Sequence, residues 1–291
     1  RLLNRIGVDP TVRLAAEFGF EPDRLPRDLS LSLGSASLPP LQLVRGYATF
    51  ANGGRRVDPI LMDRVEDPTG EPVQRRISGT QCMRCHRVPA PEAPEPEALR
   101  RHPELNVHPD FRPERVLTPQ ENYLMVDLLQ GVVENGTGWR AKRLGRPLGG
   151  KTGTTNNLRD AWFLGFNRDL VVGVWVGFDR PQPLGGNETG SKAASPIWVD
   201  FMERALADRP KADFERPPGL VSVRIDAETG KLAAPWSEET LFELFREGNA
   251  PTQTTPKPSG SSSRRDGDST EGSGGEAEGE DSSGPSMDDL F

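Results

Sequence analysis

A lysine, three hydroxyl side chains and a glycine stand in one unbroken run, Lys151-Thr152-Gly153-Thr154-Thr155. In an extended strand alternate side chains share a face, so Lys151, Gly153 and Thr155 point one way and Thr152 and Thr154 the other. Gly153 removes a side chain where another backbone could approach closely. Such a strand at a sheet edge can pair with an extended peptide, while the ammonium and the hydroxyls hold a carboxylate. Taken alone, the run reads equally as an ordinary strand start with a solvated lysine. A second cluster, Cys82-Met83-Arg84-Cys85-His86, contains both cysteines of the chain, with His102 and His108 nearby. Three readings stay open for it. They are a disulfide or two free thiols, a zinc or other metal loop using Cys82, Cys85 and a histidine such as His86, and haem attachment through C-x-x-C-H. All three histidines lie in or beside this stretch, so no Ser-His-Asp triad can be assembled.

The elements around the lysine have clear signatures. Asp160-Ala161-Trp162-Phe163-Leu164-Gly165-Phe166 and Leu170-Val171-Val172-Gly173-Val174-Trp175-Val176-Gly177-Phe178 are dense in branched and aromatic residues. With Asn167-Arg168-Asp169 between them, they read as consecutive antiparallel strands that follow the one opened by Lys151. Upstream, Thr118-Pro119-Gln120-Glu121 has the form of a capping box with proline at the first helical position. The helix it starts should run through Val132 and Val133 and stop at Gly136-Thr137-Gly138. Asp9-Pro10-Thr11 is expected to cap a helix ending at Gly19, and Leu41 to Ala51 forms another, with Leu41, Val44, Tyr47 and Ala48 on one face. Val57 to Val65 and Pro72 to Ile77 suggest short strands about a turn at Asp67-Pro68-Thr69-Gly70. After the strands, Ala193 to Leu206 reads as a helix that buries Ile197, Trp198, Phe201 and Met202. Trp162, Trp175 and Trp198 are expected in the core.

The string Gly149-Gly150-Lys151-Thr152-Gly153-Thr154-Thr155-Asn156 with Asp160-Ala161-Trp162-Phe163 resembles the class A penicillin-binding proteins of the 1A type, the bifunctional peptidoglycan synthases. Leu33-Gly34-Ser35, Gly46 to Gly54, Gly136-Thr137-Gly138 and Ala194-Ser195-Pro196-Ile197-Trp198 extend the resemblance over roughly residues 1–250. It implies an α+β fold, the C-terminal part of a penicillin-binding transpeptidase related to the serine β-lactamases, with an antiparallel sheet packed against helices. It also implies a serine D,D-transpeptidase that attacks D-Ala-D-Ala stem peptides, binds β-lactams and needs no cofactor. In that scheme Lys151 places positive charge by the substrate carboxylate and helps move a proton. Thr152 and Thr154, with Gly153 and Thr155 beside them, bind the substrate, and the Thr154 N–H forms half of the oxyanion hole. The family's Ser-x-x-Lys and Ser-x-Asn motifs do not occur in these 291 residues. The sequence, which opens on Arg1 in mid-pattern, is therefore expected to be a fragment, inactive alone. The missing part would hold the nucleophile, a glycosyltransferase domain acting on lipid II, and an inner-membrane anchor that leaves this part in the periplasm. A non-catalytic penicillin-binding-like module is the alternative.

Composition bounds the rest. The chain has a net charge of −7 and a mean hydropathy of −0.59. Residues 251–291 hold three basic and nine acidic side chains, so nearly all the net charge sits in that tail. No charge argument for nucleic acid or an anionic membrane remains. No stretch approaches the roughly 18 apolar residues of a transmembrane helix. The expected organisation is 1–210 as transpeptidase, with a proline-rich inserted surface loop at 79–114. A small extension occupies 211–250, and a disordered acidic tail at 251–291 ends in Met287-Asp288-Asp289-Leu290-Phe291, which could dock a partner.

Overall fold

The computed structural model describes residues 1–59, 64–70, 72–75 and 114–257. The Cys82-Cys85-His86 cluster, the expected insertion apart from Glu114, and the tail from residue 258 lie outside the described residues.

Helices α1 (Leu2–Ile6) and α2 (Val8–Glu17) open the chain. α2 starts earlier than its expected cap, because Asp9, Pro10 and Thr11 lie inside its first turn. There a proline costs nothing, since first-turn N–H groups have no intrahelical partner. Thr11 Oγ1 donates back to the Gly7 carbonyl at 3.0 Å rather than capping. α3 (Pro40–Ala51) forms as expected, but its packing differs. Leu41 is 49% exposed, whereas Gly46 and Thr49 are buried. The helix is gripped from two sides: Phe20 lies on Gly46, and Val44 on Gly173 of a neighbouring strand. Strands β1 (Arg64–Glu66) and β2 (Pro72–Arg75) pair across the Asp67–Gly70 turn, where Asp67 Oδ1 accepts from the Thr69 N–H at 2.8 Å.

The capping box of α4 (Pro119–Glu134) is present, with Thr118 N–H donating to Glu121 and Glu121 N–H to Thr118 Oγ1. A 3-10 segment, Trp139–Leu144, then carries the chain to the central sheet. Its strands β3 (Gly149–Thr154), β4 (Asp160–Phe166) and β5 (Val171–Gly177) run antiparallel in the order β3-β4-β5. β3 opens two residues before Lys151. The Asn167 side chain closes the second turn by accepting from the N–H groups of Asp169 and Leu170.

Helices cover both faces of this sheet, the layering expected of an α+β domain. On one face Phe163, Val172, Val174 and Val176 meet α5 (Ser195–Ala205) through Trp198, Val199 and Met202, with Val133 of α4. Trp198 packs on Gly165, where an added Cβ would come within 2.6 Å of the indole. Its N–H donates to the Val172 carbonyl at 3.1 Å. On the other face Phe166 and Val171 meet Tyr47 and Phe50 of α3 and Val126 and Leu129 of α4. Two residues expected on the buried face of α5 lie outside it: Ile197 is 53% and Phe201 51% exposed. The buried stripe runs Ser195, Trp198, Val199, Met202. At about 100° per residue, Ile197 falls on the side opposite that stripe and Phe201 on its flank. Beyond α5 a separate two-stranded sheet, β6 (Leu220–Asp226) with β7 (Thr240–Arg246), is held to the start of α4 by Gln120 on the Pro218 carbonyl and Arg246 on Glu121.

Burial between α3 and the sheet pushes the Tyr47 phenol up to about 12. Below pH 10 both folded and unfolded phenols are neutral. Between 10 and 12 only the unfolded one ionises, so stability falls with rising pH, by up to about 3 kcal/mol at the top of that window. Urea midpoints at pH 9 and 11.5 should therefore differ less for Tyr47→Phe than for the unsubstituted protein.

Candidate active site

The Lys151 run occupies an edge. Among the described residues no strand borders β3 on the side away from β4. The Thr155 N–H donates to the Asp160 carbonyl at 3.1 Å, so Thr155 faces β4. Backbone groups alternate sides along an antiparallel strand, so the N–H and C=O groups of Thr152 and Thr154 face the open edge. Lys151 Nζ reaches the Thr152 carbonyl at 3.0 Å along that edge. The register pairs Lys151 with Leu164, Gly153 with Trp162 and Thr152 with Phe163. Lys151 and Gly153 therefore share the α3 face of the sheet, while Thr152 and Thr154 share the α5 face.

On the α5 face both threonine hydroxyls are engaged. Thr152 Oγ1 lies 2.7 Å from Thr137 Oγ1, and Thr154 Oγ1 accepts the Gly190 N–H at 3.1 Å. Gly190 opens a π-helical turn, Gly190–Ala194, that leads into α5. An added Cβ on Gly190 would fall 2.3 Å from the Trp162 carbonyl oxygen and 2.5 Å from that of Gly153. The backbone approach expected at Gly153 is not made where its side chain is missing, since a Cβ added there would meet the Trp162 side chain. The close approach is instead that of Gly190, on the opposite face of the strand. Ser191 Oγ donates to the Thr137 carbonyl at 3.0 Å, and Arg140 Nη1 donates to both the carbonyl and the hydroxyl of Ser191.

The far end of the strand pair is set by Asp160. Its N–H donates to Thr155 Oγ1 at 2.8 Å, and its Oδ1 accepts the Trp175 indole N–H at 2.8 Å. Thr155 therefore spends its hydroxyl on the turn. Trp175 is not core as expected: it is 40% exposed and leans against Trp162, with ring centroids 6.4 Å apart. The reason is position, since the two indoles sit beyond the part of the sheet that α3 covers. Only Trp198 of the three is fully buried. Lys151 is exposed at the edge, yet partial desolvation by its surroundings lowers its ammonium from the ordinary lysine range. The arrangement offers an extended ligand a free strand edge, with a cation on one side and paired hydroxyls on the other.

Sequence reasoning placed Lys151, Thr152, Gly153 and Thr154 together but missed Arg140, Gly190 and Ser191. Thr137 was legible as a helix stop and as part of the Gly136-Thr137-Gly138 match to the family, but not as a partner of Thr152. Nothing local marks Gly190 or Ser191, because their partners lie more than 35 residues away.

The Transpeptidase family model, penicillin binding protein transpeptidase domain, matches residues 15–203. A second model, the penicillin-binding protein 1A C-terminal domain, matches residues 216–258. Penicillin-binding protein 1A of Pseudomonas aeruginosa is 37% identical over 279 residues, covering 90% of this chain and 34% of that protein. The Vibrio cholerae protein of the same name is 36% identical, covering 87% and 33% respectively. The crystal structure of penicillin-binding protein 1A from Haemophilus influenzae superposes with a TM-score of 0.74 at 31% identity, covering 87% of this chain and 38% of that one. The chain thus spans about a third of the length of the curated relatives it matches. An antiparallel sheet sandwiched by helices, an open Lys-Thr-Gly edge and these matches agree: the chain belongs to the penicillin-binding protein transpeptidase family, with the C-terminal domain of the 1A type.

Proposed function

We propose that this chain carries the substrate-edge half of a serine D,D-transpeptidase that cross-links peptidoglycan stem peptides. The observation that carries this reading is the open edge of β3, where the Thr152 and Thr154 backbone groups face outward beside Lys151. A stem peptide ending in D-Ala-D-Ala adds there as a short strand, its main chain pairing with β3. Lys151, Thr152 and Thr154 take its terminal carboxylate. The serine oxygen attacks the penultimate carbonyl, whose developing oxyanion is held by the Thr154 N–H and by the nucleophile's own N–H. The carbonyl–nitrogen bond then breaks, and D-alanine leaves with a proton. An amine on a neighbouring stem attacks the acyl-enzyme, which forms the cross-link and frees the serine. A β-lactam enters by the same route, its ring amide in place of the D-Ala-D-Ala bond.

No serine in the 291 residues is followed three positions on by lysine. The nucleophile is accordingly assigned to a part of the protein outside these residues, together with a glycosyltransferase domain acting on lipid II and an inner-membrane anchor facing the periplasm. The 291 residues alone do not acylate in this reading. The alternative, a penicillin-binding-like module without chemistry, rests on that same missing motif.

Labelling with a fluorescent penicillin separates the two. The complete gene product should form a covalent adduct and the 291-residue chain should not; no adduct in either would favour the module. In the complete protein, Lys151→Ala should slow labelling by at least about 100-fold, the scale of losing a preorganised charged group. Because the Lys151 pKa is lowered, its charge disappears earlier as pH rises. The alkaline limb of the labelling rate should therefore lie below pH 10.5, and Lys151→Arg should move it upward.

A further inference from the structure

Two threonines that both hold one carboxylate face a bookkeeping problem in protons. A carboxylate only accepts, and each hydroxyl has a single proton with two lone pairs. A threonine that spends its proton on the protein cannot also donate to the ligand. Its structural hydrogen bond must therefore arrive at a lone pair.

The molecule meets this condition at Thr154, whose Oγ1 accepts from the Gly190 N–H, a group that cannot accept in return. At Thr152 the partner is another hydroxyl, Thr137 Oγ1 at 2.7 Å, and either atom could donate. Once a carboxylate takes the Thr152 proton, Thr137 must supply its own. Thr137 is held for that task from behind. Its carbonyl accepts the Ser191 hydroxyl at 3.0 Å, and with that proton spent, Ser191 Oγ accepts Arg140 Nη1 at 3.1 Å. The same Nη1 donates to the Ser191 carbonyl at 3.0 Å, which locks the strap containing Gly190. Among the described residues no carboxylate forms an ion pair with Arg140, whose guanidinium sits 4.6 Å from the Trp139 ring centroid. Arg140 and Ser191 thus fix the Thr137 backbone through its carbonyl, and the Thr137 hydroxyl is left to donate towards the open edge.

We propose that Thr137, Ser191 and Arg140 form a positioning relay behind β3 that turns the Thr152 and Thr154 hydroxyl protons outward, making both threonines donors to the substrate carboxylate. This rests on the transpeptidase reading above and adds residues outside the Lys-Thr-Gly run. None of the three touches the reacting carbonyl, so they act through the threonines. Their effect follows the ligand's charge rather than its reactive bond.

That difference gives the test. Benzylpenicillin and its methyl ester share the strained amide, but only the free acid carries the carboxylate. Acylation rate constants would be measured for both on the complete protein, with Thr137→Val, Thr137→Ser, Ser191→Ala and Arg140→Met variants. Thr137→Val should lose about tenfold towards the free acid, the scale of one hydrogen bond in a charged series, and little towards the ester. Thr137→Ser should restore the acid rate. Ser191→Ala and Arg140→Met should show smaller losses with the same preference for the acid. Equal losses towards acid and ester, or no rescue by serine, would mean that these groups only brace the fold, and would overturn the relay. Absence of acylation in the unsubstituted complete protein would overturn both the relay and the transpeptidase reading. Normal acylation with equal losses would overturn the relay alone.

Discussion

The contact of Gly190 with the β3–β4 pair is the constraint on which the rest of this molecule depends. Only a residue without a side chain can bring its backbone so close to the Gly153 and Trp162 carbonyls. The approach lets the Gly190 N–H reach Thr154, and it anchors the turn that starts α5. From there α5 sets Trp198 over Gly165, and that indole ties the helix to β5 through the Val172 carbonyl. A single line of contacts therefore runs from the edge strand to the centre of the core. Close-packed interiors have little slack to absorb a shift at one end of such a line, so a displacement of α5 would be felt at Thr154 through Gly190.

Electrostatics at the edge is local. The molecule is acidic overall, yet Lys151 and Arg140 stand near the same two threonines from opposite faces of β3. Partial desolvation lowers the Lys151 ammonium from the ordinary lysine range, although the side chain is exposed at the strand edge.

Much of the fold was legible in the sequence, for identifiable reasons. The Thr118–Glu121 capping box and the Asp67–Gly70 turn are local hydrogen-bond patterns, and both formed as read. The three central strands were visible because branched and aromatic residues cluster between short polar turns. Helix faces were less legible. Ile197 and Phe201 are apolar, so composition placed them inside, but the sheet reaches only the stripe through Trp198 and Met202. Trp175 was misplaced for the same reason: the extent of the covering helix α3, and not the residue's own hydropathy, decides its exposure.

Sequence alone settled the family, the order of elements, and the four residues of the Lys-Thr-Gly-Thr run that line the edge. These are properties of spacing and residue type along a short stretch, and local rules carry them. Tertiary structure decided which edge of the sheet is open, which way each backbone group on it points, and what stands behind the threonines. Thr137, Arg140 and Ser191 meet across 51 to 54 residues of chain. No periodicity spans such a separation; only the docking of α5 on the sheet brings a helix stop, a 3-10 arginine and a turn serine to one place.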